Sequence, residues 1–442
     1  MAVSAIDLYS PATLARIPGP GPGTVHPRRD RLIRRFQRAR AGTTGLAASL
    51  SAEDQMAQSA SETSPTKWHL AHTTWFFESC ILARYLPGYT PYDDVYGFLF
   101  DQKGRRGACH PANRRGMLSR PSQAEVARYR EHVNAAMLHL LSMAAGKRLA
   151  EIEALVTLGI RHEHEHQEQL LADVKHLFWS LPQQPAFRAI DPAPVVNAIP
   201  QKWFAHAGGA VEIGAAGQDA SALGHERPRH RDRIEPCRLA GRLVTCGEYL
   251  EFMEDGGYAK PSLWSEDGLA AVEAGGWRAP LYWHRLHGEW LVFTLGGMRP
   301  LLAAEPVCHV SFHEAEAFAR WSGRRLPREN EWEPFAQGRM VDGNFLQSDH
   351  LHPQPTPCAD SGPWQMFGDC WDWTASPAVA YPGFRPGHPA AAAHDARLGC
   401  NRMVARGGSC ITPAEHVTAT RRHLLRPGTR LAFTGIRLAE DG

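Results

Sequence analysis

At 442 residues the chain is longer than one ordinary hydrophobic core supports, so two domains are expected. Its net charge of +2 gives no reason to expect nucleic acid or an acidic membrane surface as a partner. Nine scattered cysteines without a CxxC pair argue against a disulfide framework and for a reducing compartment. No apolar run approaches the roughly 20 residues that cross a bilayer, and no basic-then-apolar leader opens the chain, so a cytoplasmic location is expected.

In chain order, residues 1–27 end in Pro18-Gly-Pro-Gly-Pro-Gly and read as a disordered tail. From Arg28 to about Leu50, Leu32, Ile33, Phe36 and Leu46 recur among arginines, which predicts an amphipathic helix. A second, mostly apolar helix is expected from Ser64 to Glu78, with Ser64 as N-cap and Pro65 in the first turn. A polar, Arg- and Gly-rich connection runs from Leu86 to about Arg120, long enough to suggest a functional loop. Its arginines (105, 106, 114, 115 and 120) read either as solvated surface or as an anion-binding rim. Third and fourth helices are expected from Gln123 to Ala145 and from Leu149 to Leu181, making residues 28–181 a four-helix bundle.

A Pro- and Ala-rich stretch, 182–200, reads as a linker. Beyond it, short apolar runs alternate with Gly, Pro and Asp turns, and tryptophan is frequent. The expectation for 201–442 is an irregular α+β domain with one clear helix, Phe312–Ser322. In its tail, Trp371-Asp-Trp373, Arg406-Gly-Gly-Ser409 and Gly435-Ile-Arg-Leu438 read as scaffold: glycine turns, buried tryptophan and a buried arginine–carboxylate pair. Cys370 and Cys410 read as buried and inert.

The chemistry concentrates in Arg161-His-Glu-His-Glu-His-Gln-Glu-Gln-Leu170. His162 and His166 stand one helical turn apart on one face, the spacing that lets two imidazoles hold one metal ion. His164 points elsewhere, and Glu163, Glu165 and Glu168 could orient the rings by hydrogen bonds. The alternative is a solvated, charge-rich helix face. On the second helix His72 is the candidate third ligand, with His69 competing. Three neutral imidazoles would leave positions open for substrate, and imidazole suits zinc, iron, nickel and copper alike.

Two segments, Ser64-Pro-Thr-Lys-Trp-His-Leu-Ala-His72 and His162-Glu-His-Glu-His166-Gln-Glu, resemble the DinB-like half of the ergothioneine sulfoxide synthase family. Pro306-Val-Cys-His-Val-Ser-Phe-His-Glu-Ala315, Arg325-Leu-Pro-Arg-Glu-Asn-Glu-Trp-Glu333 and the three tail motifs resemble its second half, a formylglycine-generating-enzyme-type, C-type-lectin-like fold. The resemblance spans about residue 28 to 440. It implies an iron(II) site at His72, His162 and His166 between the domains. It also implies hercynine (trimethylated histidine) as substrate, with O2 and a thiol donor joined to its imidazole carbon to give a sulfoxide.

The departures from the family pattern are as informative. Where many relatives carry Asn-Ser-Tyr-Tyr, with tyrosine as proton or electron donor, this chain has Asp101-Gln102-Lys-Gly104. A tyrosine that others place before Arg-Gly-Gly-Ser is replaced by His394-Asp395, which makes His394 a candidate catalytic residue. Glu165 stands where the family has a substrate-touching glutamine, and Arg421-Arg-His-Leu424 replaces Tyr-Arg-Asn-Phe. Asp101, Gln102, Arg114, Arg115, Glu165, Arg422 and His423 are therefore candidate substrate contacts. The pattern points towards the selenoneine synthase branch, with a selenosugar as donor. An ergothioneine-type enzyme using cysteine or γ-glutamylcysteine is the alternative. A DinB-like thiol transferase with zinc or nickel, or a non-catalytic lectin-like binder, are readings from other classes.

Overall fold

The computed structural model describes residues 27–101, 109–191, 193–217, 219, 222–355, 362–399 and 401–442. The expected tail before residue 27, together with Gln102, Arg105 and Arg106, lies outside them. The chain forms two compact units, residues 1–183 and 184–442. The first is helical and the second rich in short sheets.

Four long helices build the first unit: α1 (Pro27–Ala47), α2 (Thr66–Phe77), α3 (Gln123–Met143) and α4 (Gly146–Ser180). α3 starts on a capping box in which Ser122 and Glu125 satisfy each other's backbone N–H groups. α2 begins one step later than expected. Pro65, with φ −59° and ψ 144°, occupies the cap position, and the Ser64 side chain caps nothing there. The Ser64 N–H donates instead to Asp173 of α4 at 2.8 Å. α2 also runs on through a π-helical turn, Glu78–Leu82, rather than stopping at Glu78. The connection after it contains a helical turn at Tyr96–Phe100 and a 3₁₀ segment at Ala112–Met117.

α4 is 35 residues long, about 52 Å at 1.5 Å per residue. It packs against α1 and α2, and α2 packs also on α3. The approach of α4 to α2 depends on Gly159, where a Cβ would stand 2.5 Å from the Phe77 ring and 3.1 Å from that of Phe76. From Gly159 to Ala172 nearly every α4 side chain is buried, so polar groups there need partners inside the protein.

In the second unit, β1 (Trp203–His206), β4 (Cys237–Ala240) and β12 (Ala439–Asp441) make a sheet in the order β1-β4-β12. β2 (Gly209–Ile213) and β3 (His230–Ile234) form a hairpin-like pair. β5 (Trp283–Leu286), β6 (Glu289–Thr294) and β7 (Gly297–Pro300) form a meander. The tail motifs meet in the fourth sheet, β10-β9-β8-β11, built from β8 (Trp371–Pro377), β9 (Met403–Arg406), β10 (His423–Leu425) and β11 (Thr434–Gly435).

Among the described residues four helices of eight or more residues accompany the sheets, where the sequence suggested one: α5 (Cys246–Glu254), α6 (Glu266–Gly275), α7 (Phe312–Trp321) and α8 (Glu329–Ala336). The capping box of Thr245 and Glu248 announces α5, but the helix spans only nine residues. Trp371 and Trp373 are fully buried in the main core with Phe318 and Ile436. Arg437 donates to Asp372 at 2.6 Å, and Trp332 donates to the same oxygen at 2.7 Å. Gly407 has φ +98°, and a Cβ there would stand 2.7 Å from the Met366 carbonyl oxygen, which explains the glycine in Arg406-Gly-Gly-Ser409. Cys370 and Cys410 are buried and unbridged, and burial raises the Cys370 thiol well above its usual range.

Candidate metal centre

α2 and α4 bring His72, His162 and His166 together, with one ring nitrogen of each within 4.8 Å of the others. All three rings are buried. The His72 Nδ1 lies 2.5 Å from the Phe100 carbonyl oxygen, so it must carry the proton and donate. That leaves the lone pair of His72 Nε2 aimed at His162 Nε2, 3.2 Å away. Two nitrogens each about 2.1 Å from one ion, and subtending roughly 90–110°, stand about 3.0–3.4 Å apart. The spacing of His72 and His162 fits a shared cation. Burial pushes His72 and His166 well below the usual imidazole range, helped by the neighbouring imidazoles, so both stay neutral. Neutral imidazole is the ligating form.

Aromatic rings wall the cluster. Trp68 stacks on His72 with ring centres 4.5 Å apart, and Phe76 stacks on His162 at 4.8 Å. Above Trp68 lies the Arg115 guanidinium, 3.4 Å from the ring centre, which donates to Ser64 Oγ at 2.8 Å. Burial lowers Arg115 to about 10, so it remains a cation at neutral pH.

His69 stands behind the cluster. Its Nδ1 is 2.9 Å from Nδ1 of His166 and its Nε2 is 3.0 Å from Asp173 Oδ2. Sequence reasoning missed Asp173, Trp68 and Phe76. The signal for Asp173 was present, since it follows His166 by seven residues, two turns along the same stripe of α4. His164 is buried but outside the group of three.

Glu163 departs from expectation. It turns away from the imidazoles and meets Arg40 at 2.9 Å, Thr43 at 2.5 Å and Arg130. Burial by itself would raise this carboxyl, but Arg130 and Arg40 bring it down to about 2. Arg40 and Arg130 also reach Thr73 and Thr74 of α2, so this cluster ties α1, α2, α3 and α4 together.

The other candidate contacts are distributed as follows. Glu165 is buried beside His166, its Oε1 3.5 Å from Gln169 Nε2. Asp101 is buried and Arg114 is exposed. The fork of Arg422 is bound to Glu329 by two 2.9 Å hydrogen bonds. It also donates to the carbonyls of His225 at 2.7 Å and Val379 at 3.1 Å, so its donors serve the fold. His423 stacks on Trp371 at 4.7 Å. His394 is buried, and its neighbour Asp395 accepts from the backbone N–H of His225 at 3.0 Å and of Gly387 at 2.8 Å.

Fold and site thus define a protein with a helical domain carrying a three-histidine cluster, followed by a sheet-rich α+β domain. Residues 35–170 match the DinB superfamily, and residues 191–363 and 357–442 match the family described as sulfatase-modifying factor enzyme 1-like domain. The chain is 30% identical over 338 residues to a hercynine oxygenase of Mycobacterium tuberculosis, covering 68% of this chain and 77% of that protein. It is 30% identical over 359 residues to a hercynine oxygenase of Mycolicibacterium thermoresistibile, covering 75% and 78%. A formylglycine-generating enzyme of Streptomyces coelicolor is 24% identical over 279 residues, 53% of this chain and 87% of that protein. The chain belongs to the hercynine oxygenase family. Among the described residues no helix is long and apolar enough to cross a membrane.

Proposed function

We propose that this chain is an iron(II)- and O2-dependent enzyme that joins a chalcogen donor to the imidazole carbon of hercynine, with His72, His162 and His166 as the metal ligands. The observation that carries this reading is the cluster of three buried imidazoles, two with Nε2 atoms 3.2 Å apart, in a chain similar to hercynine oxygenases across both domains. Iron, when bound, would supply the activation of O2 that the side chains cannot perform themselves. The reaction balances simply: the ring C–H, the donor's chalcogen–H and O2 give a chalcogen oxide and water. The protein's part is positioning and exclusion. The Phe100 carbonyl fixes the His72 tautomer, Trp68 and Phe76 hold the rings, and burial keeps His72 and His166 neutral.

For the donor, the reading is a selenosugar. A thiol amino acid calls for guanidinium groups free to grip carboxylates. At the altered C-terminal segment Arg422 is committed to Glu329, and Arg421 to Glu226 at 3.1 Å and His416 at 2.8 Å. That commitment supports a neutral, hydroxyl-rich donor. The competing reading is an ergothioneine-type sulfoxide synthase using cysteine or γ-glutamylcysteine. Arg115 favours it: this buried cation gives one hydrogen bond to Ser64 and keeps further N–H groups for a ligand carboxylate. Iron-loaded full-length protein, given hercynine with selenoglucose, cysteine and γ-glutamylcysteine in competition, separates the two by product mass. Faster coupling of selenoglucose is expected, and faster coupling of either thiol overturns the selenium reading.

A further inference from the structure

We infer, resting on the metal reading above, that Asp173 is a positioning residue of the metal centre which acts through His69 on His166. The proton positions follow from the carboxylate end of the chain. Asp173 Oδ2 accepts from the Ser64 N–H at 2.8 Å, and it is 3.0 Å from His69 Nε2. A carboxylate accepts, so His69 Nε2 carries a proton and donates it. A metal on His166 Nε2 leaves the ring proton of His166 on Nδ1, 2.9 Å from Nδ1 of His69. His166 Nδ1–H is then the donor and His69 Nδ1 the acceptor. His166 is thereby locked in the tautomer whose Nε2 is free for a metal.

Two of the ligands are therefore supported unequally. His72 donates its Nδ1–H to a neutral peptide carbonyl, that of Phe100. His166 donates through His69 towards an anion. An imidazole whose far N–H is drawn towards a carboxylate is the more basic ligand, and outer partners of this kind tune metal affinity and potential. His166 is thus a stronger donor to the centre than His72. Asp173 also fixes the entry to α2 through Ser64, whose hydroxyl receives the Arg115 hydrogen bond. One carboxylate consequently sets the orientation of a ligand and the start of the helix that carries another.

The test uses full-length protein and anaerobic titration with iron(II), read by chelator competition, together with the midpoint potential of the bound iron. The variants are Asp173→Asn, Asp173→Ala and, as a control on the metal reading, His162→Ala. Asp173→Ala is expected to weaken iron(II) binding about 10- to 100-fold. Asp173→Asn keeps an acceptor for His69 but removes the charge, so it should bind more tightly than Asp173→Ala and have a potential more positive than the wild type. A merely structural role would not move that potential, and Asp173→Asn decides the matter should Asp173→Ala fail to fold. If His162→Ala abolishes binding while both Asp173 variants keep wild-type affinity and potential, the inference falls and the metal reading stands. If His162→Ala binds iron as the wild type does, the metal reading falls and takes this inference with it.

Discussion

Two faces of α4 bury polar groups by opposite strategies. On one, Glu163 is saturated: two arginines and a threonine occupy its oxygens, and the carboxylate stays charged. On the other, a quarter-turn away, His72 and His162 point Nε2 atoms at each other, and burial keeps His72 neutral. The first face is complete within the protein and serves rigidity. The second brings one ring nitrogen each of His72, His162 and His166 within 4.8 Å of one another, a group that could hold a cation. Adjacent residues on one helix thus divide between an ion-pair clamp and a candidate metal centre, and the groups each one faces tell them apart.

Breaking the clamp should have the largest effect on folding. Glu163→Ala leaves Arg40 and Arg130 buried side by side without their anion, and a loss of about 3–5 kcal/mol is expected in denaturant unfolding of the metal-free protein. His162→Ala in the same assay should cost far less, since no charge is orphaned. Equal losses would erase the distinction between the faces.

A second buried carboxylate sharpens the comparison from the other unit. Asp369 is held only by neutral donors: Asn344 at 2.8 Å, the Gln354 N–H at 2.9 Å and Gln365 at 3.1 Å. Burial raises it from 3.8 to about 6, because the neutral donors and the Arg437 charge offset only part of the desolvation, whereas two bonded guanidiniums reverse it at Glu163. The folded protein therefore holds this proton more tightly than the unfolded chain does. The stability is full below pH 3.8 and is lost as pH rises through 6, by about 3 kcal/mol. Asp369→Asn should flatten that slope between pH 4 and 7, and its φ of +53° suits asparagine. An unchanged slope in Asp369→Asn would place the titration elsewhere.

The smallest effect is expected at Gly159. A methyl group there presses on Phe77 and Phe76, and overpacking of this kind costs about 1–3 kcal/mol. Since Phe76 stacks on His162, Gly159→Ala should also weaken metal binding, whereas a stability loss without any change in affinity would separate the ring wall from the site.

That His162 and His166 share one face of α4 was legible, because a four-residue spacing places two side chains one turn apart on any helix. The role of Glu163 was not, since its direction matters only once α1 and α3 supply Arg40 and Arg130. The two-part architecture could be read from the change in composition near residue 182. The short helices α5, α6 and α8 were missed: eight to ten residues give few apolar repeats, and their stability comes from tertiary packing. Arg422 illustrates the remaining limit. Its sequence context offers a free guanidinium, and only the fold supplies Glu329 93 residues away.

The most direct test of the account is equilibrium iron(II) binding to the full-length chain and to four single variants, His72→Ala, His162→Ala, His166→Ala and His164→Ala. The account predicts one ion per chain, and a loss of more than about 100-fold in affinity for the first three, beyond what an outer partner costs. His164→Ala should bind as the wild type does. Retention of binding by His72→Ala, or its loss in His164→Ala, would contradict the assignment of the centre.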